Sequence, residues 1–331
     1  MKIIQIKKLK VLLILILIIS ACSNSGDKNK QGTEKIKVLR LAYQLGHLPD
    51  IIAKNKHWFE EEFKNDNIKI QYKKFDFGIP EVEAFVAHNL DFGSIGDQPA
   101  IIGWANGAGY KIVGNNQGGS NLMAVLVPYN STVKSFKELK GKKIGITIGS
   151  NIQNYFYQEL NQVNFKESDV HVVNLQFSDC VTALSLNQID ATLLADPYVT
   201  WAEYKKSGKV ISYSGKLKYF TLPLIASDDL IQNHPDIVVR ILKVYNKANK
   251  WAKEHKEEAA DILIKEENGL LPKDVDLKLI DKYTQQFGLG DSAIAAFEKT
   301  YKYLRETNVI RTSPDIITLY TTKFDHEARG L

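Results

Sequence analysis

Cysteine is nearly absent from this 331-residue chain, which has only Cys22 and Cys180. Cys22 closes an apolar leader, and Cys180 lies in an apolar helical pattern with Val181 and Leu184, the ordinary setting of a small buried hydrophobe. With Cys22 set aside no intramolecular disulfide can form, so the core must hold the fold. Arginine is scarce as well: Arg40, Arg240, Arg305, Arg311 and Arg329 are all there are. Arg40 alternates with apolar neighbours in a strand pattern and the other four fall in a helical region, which argues for structural or solvated charges and against an arginine fork that captures an anion. No Gly-x-Ser-x-Gly, His-Glu-x-x-His, Walker or Gly-x-Gly-x-x-Gly sequence occurs; Gly107-Ala108-Gly109 lacks the third glycine, and the seven histidines show no metal-ligand spacing. Hydrolase and dinucleotide chemistry are weakly supported, and the expectation is a protein that is not an enzyme and carries neither cofactor nor metal.

Long hydrophobic runs are also missing. The longest, Val11–Ile19, has nine residues, against roughly 20 for a spanning helix. It follows Lys2, Lys7, Lys8 and Lys10 and precedes Ser20-Ala21-Cys22, the order of an export signal. Ile19-Ser20-Ala21-Cys22 resembles a bacterial lipobox, which implies cleavage before Cys22 and a lipid on its sulfur. Residues 1–21 are then the signal peptide, and residues 22–35, which hold no aliphatic or aromatic side chain, a flexible tether. Removing 1–21 takes away four lysines and no acid and lowers the formal charge from +5 to +1. A body so near neutrality shows no nucleic-acid footprint. The remaining residues, roughly 310, suit two lobes better than one core.

An internal echo supplies the architecture. Residues 84–97 (AFVAHNLDFGSIGD) lie on 183–196 (ALSLNQIDATLLAD) without a gap, matching Ala84 to Ala183, Leu90 to Ile189, Asp91 to Asp190 and Asp97 to Asp196. Upstream, strand patterns at Val38–Tyr43 and Ile144–Ile148 lead through Gln44–Pro49 and Gly149-Ser150-Asn151 into amphipathic helices, followed by second strands at Ile68–Phe75 and Val170–Phe177. Two tandem β-α-β-α-β units predict two α/β lobes with mainly parallel sheets and loops at the strand ends. From Ser227 onward helical patterns dominate, with a cap at Ser227-Asp228 and breaks at Pro235, Gly269 and Pro272, and these helices are expected to pack on the first lobe.

The segments Leu41-Ala42-Tyr43-Gln44, Phe75-Asp76-Phe77-Gly78, Leu90-Asp91-Phe92-Gly93, Gly96-Asp97-Gln98-Pro99, Leu139–Ile144 with Gly149-Ser150, Ile189-Asp190-Ala191 with Asp196-Pro197, and His234-Pro235-Asp236 resemble, in this order, the taurine, alkanesulfonate and nitrate binding proteins of ABC importers. The resemblance implies a two-lobed type II periplasmic-binding-protein fold, lobe 1 from 36–127 plus 223–331 and lobe 2 from 128–222, with a small anionic solute between them. It further implies an extracytoplasmic, lipid-anchored monomer that serves an ABC permease and ATPase. Nitrate and a thiamine-precursor pyrimidine are alternative ligands, and a pyrimidine-precursor synthase of related fold is the enzyme alternative.

Helix amino-termini offer an anion both backbone N–H groups and a positive dipole end. The turns at Gly46-His47 and Gly149-Ser150-Asn151 are placed to do this, and Ser150 and Asn151 add side-chain donors. The family-like segments contribute Gln44, Gly78 and Gln98. Asp97 and Asp196 are expected to face each other across the cleft, suited to an ammonium, or else to cap the turns that follow them. His47 is either a ligand contact or a loop histidine. Tyr198 is the aromatic expected to wall an apolar tail. Gln117, Ser120 and Asn121, in the polar QGGSN stretch, either approach the ligand or form an interlobe linker.

Overall fold

The computed structural model describes residues 35–284 and 287–331. The proposed signal, Cys22 and nearly all of the tether lie outside the described residues. Ten strands run in chain order as β1 Val38–Tyr43, β2 Lys69–Lys74, β3 Phe92–Ser94, β4 Tyr110–Gly119, β5 Met123–Pro128, β6 Lys143–Ile146, β7 His171–Asn174, β8 Ala191–Ala195, β9 Gly208–Tyr213 and β10 Phe220–Ser227. They form two five-stranded sheets, ordered β2-β1-β3-β10-β4 and β7-β6-β8-β5-β9. In each the first three strands are parallel, and the last two run antiparallel to their neighbours.

The sequence echo is a structural one. His88 and Asn187, equivalent under the repeat, both take positive φ, at 53° and 54°, and end their helices in the same way. Asn89 N donates to Ala84 O at 2.8 Å and Gln188 N to Ala183 O at 2.9 Å. The matched aspartates then clip the next strand: Asp91 accepts from Arg40 N at 2.7 Å, and Asp190 from Lys143 N at 2.9 Å. Arg40 closes a bidentate pair on Asp91, at 2.9 and 2.6 Å, and donates to His88 O, so it is a structural charge. Cys180 is buried.

The chain exchanges sheets earlier than the expected lobe boundaries. Met123–Val127, expected in lobe 1, pair in the second sheet, and Phe220–Leu222, expected in lobe 2, pair in the first. The apolar run Met123–Val127 carries no mark of which sheet it joins, so the sequence boundary was drawn at the next polar stretch. The two crossings, 120–122 and 214–219, are tied together: Gly215 N donates to Ser120 O at 2.8 Å and Ser214 Oγ to the same carbonyl at 2.9 Å.

The carboxy-terminal helices pack on the first sheet's side, as their apolar faces require. In Pro235–Glu254 the buried stripe Ile237, Val238, Ile241, Leu242, Tyr245, Ala248 and Ala252 follows helical spacing, with Pro235 at the first turn, where no N–H is needed. Ser227 caps the preceding helix by accepting from Leu230 N at 3.2 Å. Among the described residues no helix is long and apolar enough to cross a membrane.

One buried ion pair fixes the second crossing to this body. Asp97, fully buried, pairs with Lys218, whose side chain is 4% exposed, and accepts from Thr300 Oγ1 at 2.7 Å. Lys218→Met should cost roughly 3 to 5 kcal/mol, since it strands a buried carboxylate. Adding Asp97→Asn should recover a large part of that loss. Urea midpoints of the two variants decide the matter; a double variant as unstable as the single one would mean that the pair is not the anchor.

Candidate ligand cleft

Parallel strands followed by helices bring helix starts to one edge of each sheet, and the two edges face each other. Between them is a cavity of about 60 Å³, several times the ~10–15 Å³ that one water requires. From the first half it is lined by Gln44–His47, Phe75–Gly78, Gly96, Pro99, Phe220 and Leu222, and from the second by Ser150, Asn151, Phe177, Ala195, Asp196 and Tyr198. Helices beginning at Leu48, Gly78, Asp97, Asn151, Phe177 and Tyr198 all start at this lining. First-turn N–H groups have no carbonyl partner within their own helix; capping side chains meet some of them here, Gln98 N on Asp97, Ile152 N on Ser150 and Thr200 N on Asp196, and the remaining ones with the dipole ends are what the cleft can offer an anion without a basic side chain. No lysine or arginine is among the lining residues.

The two halves touch where side chains are missing. Gly46, at φ +80°, lies so near the second half that a Cβ there would come within 2.8 Å of Pro197 Cδ. Gly149, at φ +83°, would place a Cβ 2.0 Å from Ile79 Cδ1 of the first half. Gln98 Nε2 donates across the interface to Gln153 Oε1 at 3.1 Å, and Lys282 reaches Asp196 Oδ2 at 2.9 Å. The cleft is closed.

Eight of the fourteen expected site residues meet here: Gln44, Gly46, His47, Gly78, Ser150, Asn151, Asp196 and Tyr198. Ser150 departs from its expected role, and Asp196 takes the second of its two. The Ser150 hydroxyl donates to Thr147 O at 2.7 Å and accepts from Ile152 N at 3.2 Å, so it serves the helix cap, and Ser150 N itself donates to Thr147 O at 3.4 Å. The Asp196 carboxylate is turned from the cavity toward Thr200 and Lys282, so its capping reading is the one observed. The Asn151 side chain makes no hydrogen bond among the described residues and abuts Gly96.

The other six lie elsewhere. Asp97 is removed from the ligand by its ion pair with Lys218, a residue 121 positions away. Gln98 joins the two halves beside the cavity and Gly149 packs on Ile79. Gln117 is buried within β4, while Ser120 and Asn121 are exposed in the first crossing, so the linker reading of that stretch holds. Sequence reasoning missed Leu45, Phe75, Asp76, Phe77, Gly96, Pro99, Phe177, Ala195, Phe220 and Leu222. A signal existed for Phe75 and Phe177, which end the second strand pattern of each unit; none existed for Phe220 and Leu222, which enter through the crossover.

Beneath the first-half wall lies a buried polar cluster. Gln44 Nε2 donates to Glu81 Oε2 at 2.8 Å, and Asp50 accepts from Tyr245 Oη and Asn116 Nδ2, the latter also on Ser94 Oγ at 2.9 Å. Burial pushes the Asp50 carboxyl up to about 7 against the opposing effect of its Tyr245 and Asn116 bonds. Burial likewise holds Glu81 well above the carboxylate range, reinforced by Asp50. His47 is driven down to about 3 by burial, opposed by a bond to the Ser94 backbone, so it is neutral. Its Nδ1 is buried with no partner.

Residues 44–259 match the NMT1/THI5-like family. A protein of Bacillus subtilis (strain 168), provisionally named an aliphatic sulfonates-binding protein, is 32% identical over 327 residues, covering 96% of each chain. The taurine-binding periplasmic protein of Escherichia coli (strain K12) is 23% identical over 209 residues, 61% of this chain and 62% of that one. The alkanesulfonate-binding protein of Xanthomonas axonopodis pv. citri, solved with MOPS, superposes with a TM-score of 0.78 at 20% identity, over 87% of this chain and 99% of that one.

The raised acids make stability fall as pH rises. Above the ordinary carboxylate range the unfolded Asp50 ionises while the folded one stays protonated until about pH 7, so stability is present at low pH and lost on the way up. Between pH 5 and 7.5 the wild type should lose roughly 2 to 3 kcal/mol relative to Asp50→Asn, at ~1.36 kcal/mol per pH unit. Urea midpoints of both proteins across that range measure it. Parallel profiles would show Asp50 to be ionised in the fold.

Proposed function

The chain belongs to the NMT1/THI5-like family, and from that premise we propose that it is an extracytoplasmic solute-binding lipoprotein of an ABC importer. It takes a small anionic organic solute, such as taurine or an alkanesulfonate, hands it to the permease and performs no chemistry on it. The observation that carries this reading is the closed cleft, in which helix starts from both halves converge with no basic side chain. An oxyanion can be held there by oriented N–H groups and dipole ends. The names of the matched relatives support the ligand class. Closure is the functional step: a ligand that contacts both halves favours the closed state by its differential affinity for it. The expected lobes, with their boundaries moved to the two crossings, are the bodies that close.

A second reading has an observation in its favour. Phe75, Phe77, Phe177, Tyr198 and Phe220 line the cavity, and such walls suit a planar or apolar group. A thiamine-precursor pyrimidine is therefore a better alternative than nitrate, which has nothing to place against them. The synthase alternative has less support, since the relatives reported above are named as binding proteins.

Thermal unfolding of the chain with taurine, ethanesulfonate, nitrate and a pyrimidine precursor tests the ligand class. A ligand at 100 times its dissociation constant should add ~2.7 kcal/mol. Stabilisation by the pyrimidine alone would replace the sulfonate assignment and keep the receptor. Anchoring is tested separately: Cys22→Ala should release the protein from membranes or block its processing. Unchanged membrane retention with normal signal cleavage would remove the lipid from the account.

A further inference from the structure

We propose that the protein has a second binding site, for a small oxyanion, in the groove where the helix Asn151–Gln162, the crossing 214–219 and the helix Asp291–Glu306 meet. The site does not depend on which solute the cleft takes. The groove holds about 180 Å³, against about 60 Å³ in the cleft, so it has room for more than one ordered water. Asn154 and Gln158 line it from the second half, Lys216 and Lys218 from the crossing, and Ser292 and Lys299 from the carboxy-terminal body of the first. Ala295 and Ala296 share a helix face with the last two and fill little of the space between them. No acid is among the described lining residues.

Two charges and one buried amide give the groove its sign. Lys218 is answered by Asp97, whereas Lys216 and Lys299 form no ion pair among the described residues. Lys299 Nζ donates to Leu217 O at 2.8 Å and to Lys216 O at 3.5 Å, which holds the ammonium over the crossing and leaves a third proton uncommitted. Solvated lysines alone select nothing, and the selective part is Asn154, which is 1% exposed. Its Oδ1 accepts from Gln158 Nε2 at 3.4 Å, while its Nδ2 has no partner among the described residues and is not sealed off. Turning both amides over reverses that bond and still leaves N–H groups of the pair free, so the excess of donors does not depend on their assignment. A buried donor without an acceptor is costly. An oxyanion accepts from several directions at once, so it completes the amide and meets the uncompensated ammonium charge in one step. Asn154 belongs to the helix whose first residue, Asn151, lines the cleft, so an anion held between Asn154 and Lys299 ties that helix to the first half in the closed arrangement.

Calorimetry with inorganic phosphate on the full chain in detergent, at an ionic strength fixed with sodium chloride, tests this. The wild type should bind phosphate, Lys299→Gln should weaken that binding roughly tenfold through loss of a charged donor, and Asn154→Ala about fivefold through loss of a neutral one. Lys302→Gln removes the same charge from the same helix outside the groove and should change the affinity by less than about twofold. A wild type that does not bind phosphate overturns the inference. So does a loss in Lys302→Gln equal to that in Lys299→Gln, which would mean general attraction to a basic surface. A loss in Asn151→Ala with none in Lys299→Gln would place the phosphate in the cleft and overturns it as well, and undiminished binding in Asn154→Ala overturns a site shared by the two halves. Urea midpoints without phosphate show whether each variant is folded; if Asn154→Ala is not, the comparison of Lys299→Gln with Lys302→Gln, both at exposed positions, still decides.

Discussion

The cleft depends on a constraint of connectivity. A strand that feeds a helix and then a parallel neighbour must place each helix start at the same edge of the sheet, and a helix start has N–H groups that its own helix cannot satisfy. The chain does this twice, in β1-β3 with their helices and in β6-β8 with theirs, and turns the two edges toward each other. The sum is a pocket onto which helix amino-termini converge, with no lysine or arginine in its lining and with Asp76 and Asp196 as its acidic members. That explains how a chain with five arginines, all outside the cavity, can present an anion-binding geometry. It also explains why the aspartates at helix starts need partners of their own. A carboxylate left free at Asp97 or Asp196 would compete with an anionic ligand for the same N–H groups, and each is instead held by a lysine from a distant segment.

Those two lysines do different work because of where they come from. Lys218 is in the crossing between β9 and β10, and its pair with Asp97 is fully enclosed, so it joins elements of one body. Lys282 stands on the helix Lys273–Tyr283, part of the body packed on the first sheet, and is one-third exposed; its pair with Asp196 runs from that body to the second sheet. The first pair is inside a rigid unit. The second runs between the two halves, and the exposure of its lysine keeps its strength within the modest range of partly solvated pairs.

Much of this was legible in the residues. The strand pattern at Val38–Tyr43 matches a strand with those bounds, and the Ala84–Asp97 echo foretold two equivalent passages of helix end, short turn and strand; the αL geometry of those turns and the paired roles of Asp91 and Asp190 came only with the structure. These features are local or repeat-driven. Asp97 was misread because sequence register makes it equivalent to Asp196, whereas its fate is set by a lysine 121 residues on. His47 was left between two readings because burial of a loop side chain depends on the opposite half closing over it. Phe220 and Leu222 reach the wall only because β10 returns to the first sheet, and apolar residues in a strand do not announce which face they serve.

The closed geometry sets how strongly the empty protein can favour it. The contacts between the halves include the glycines Gly46 and Gly149 against Pro197 and Ile79, an amide bond from Gln98 to Gln153, the Tyr157–Tyr303 ring contact, and the Lys282–Asp196 pair, whose lysine is one-third exposed. Against them stands Nδ1 of His47, which is buried with no partner. A buried polar group left without a partner lowers the stability of the state that buries it. A ligand shifts the population toward the closed state only by what it contributes there beyond the open state, and completing a buried polar group is one such contribution.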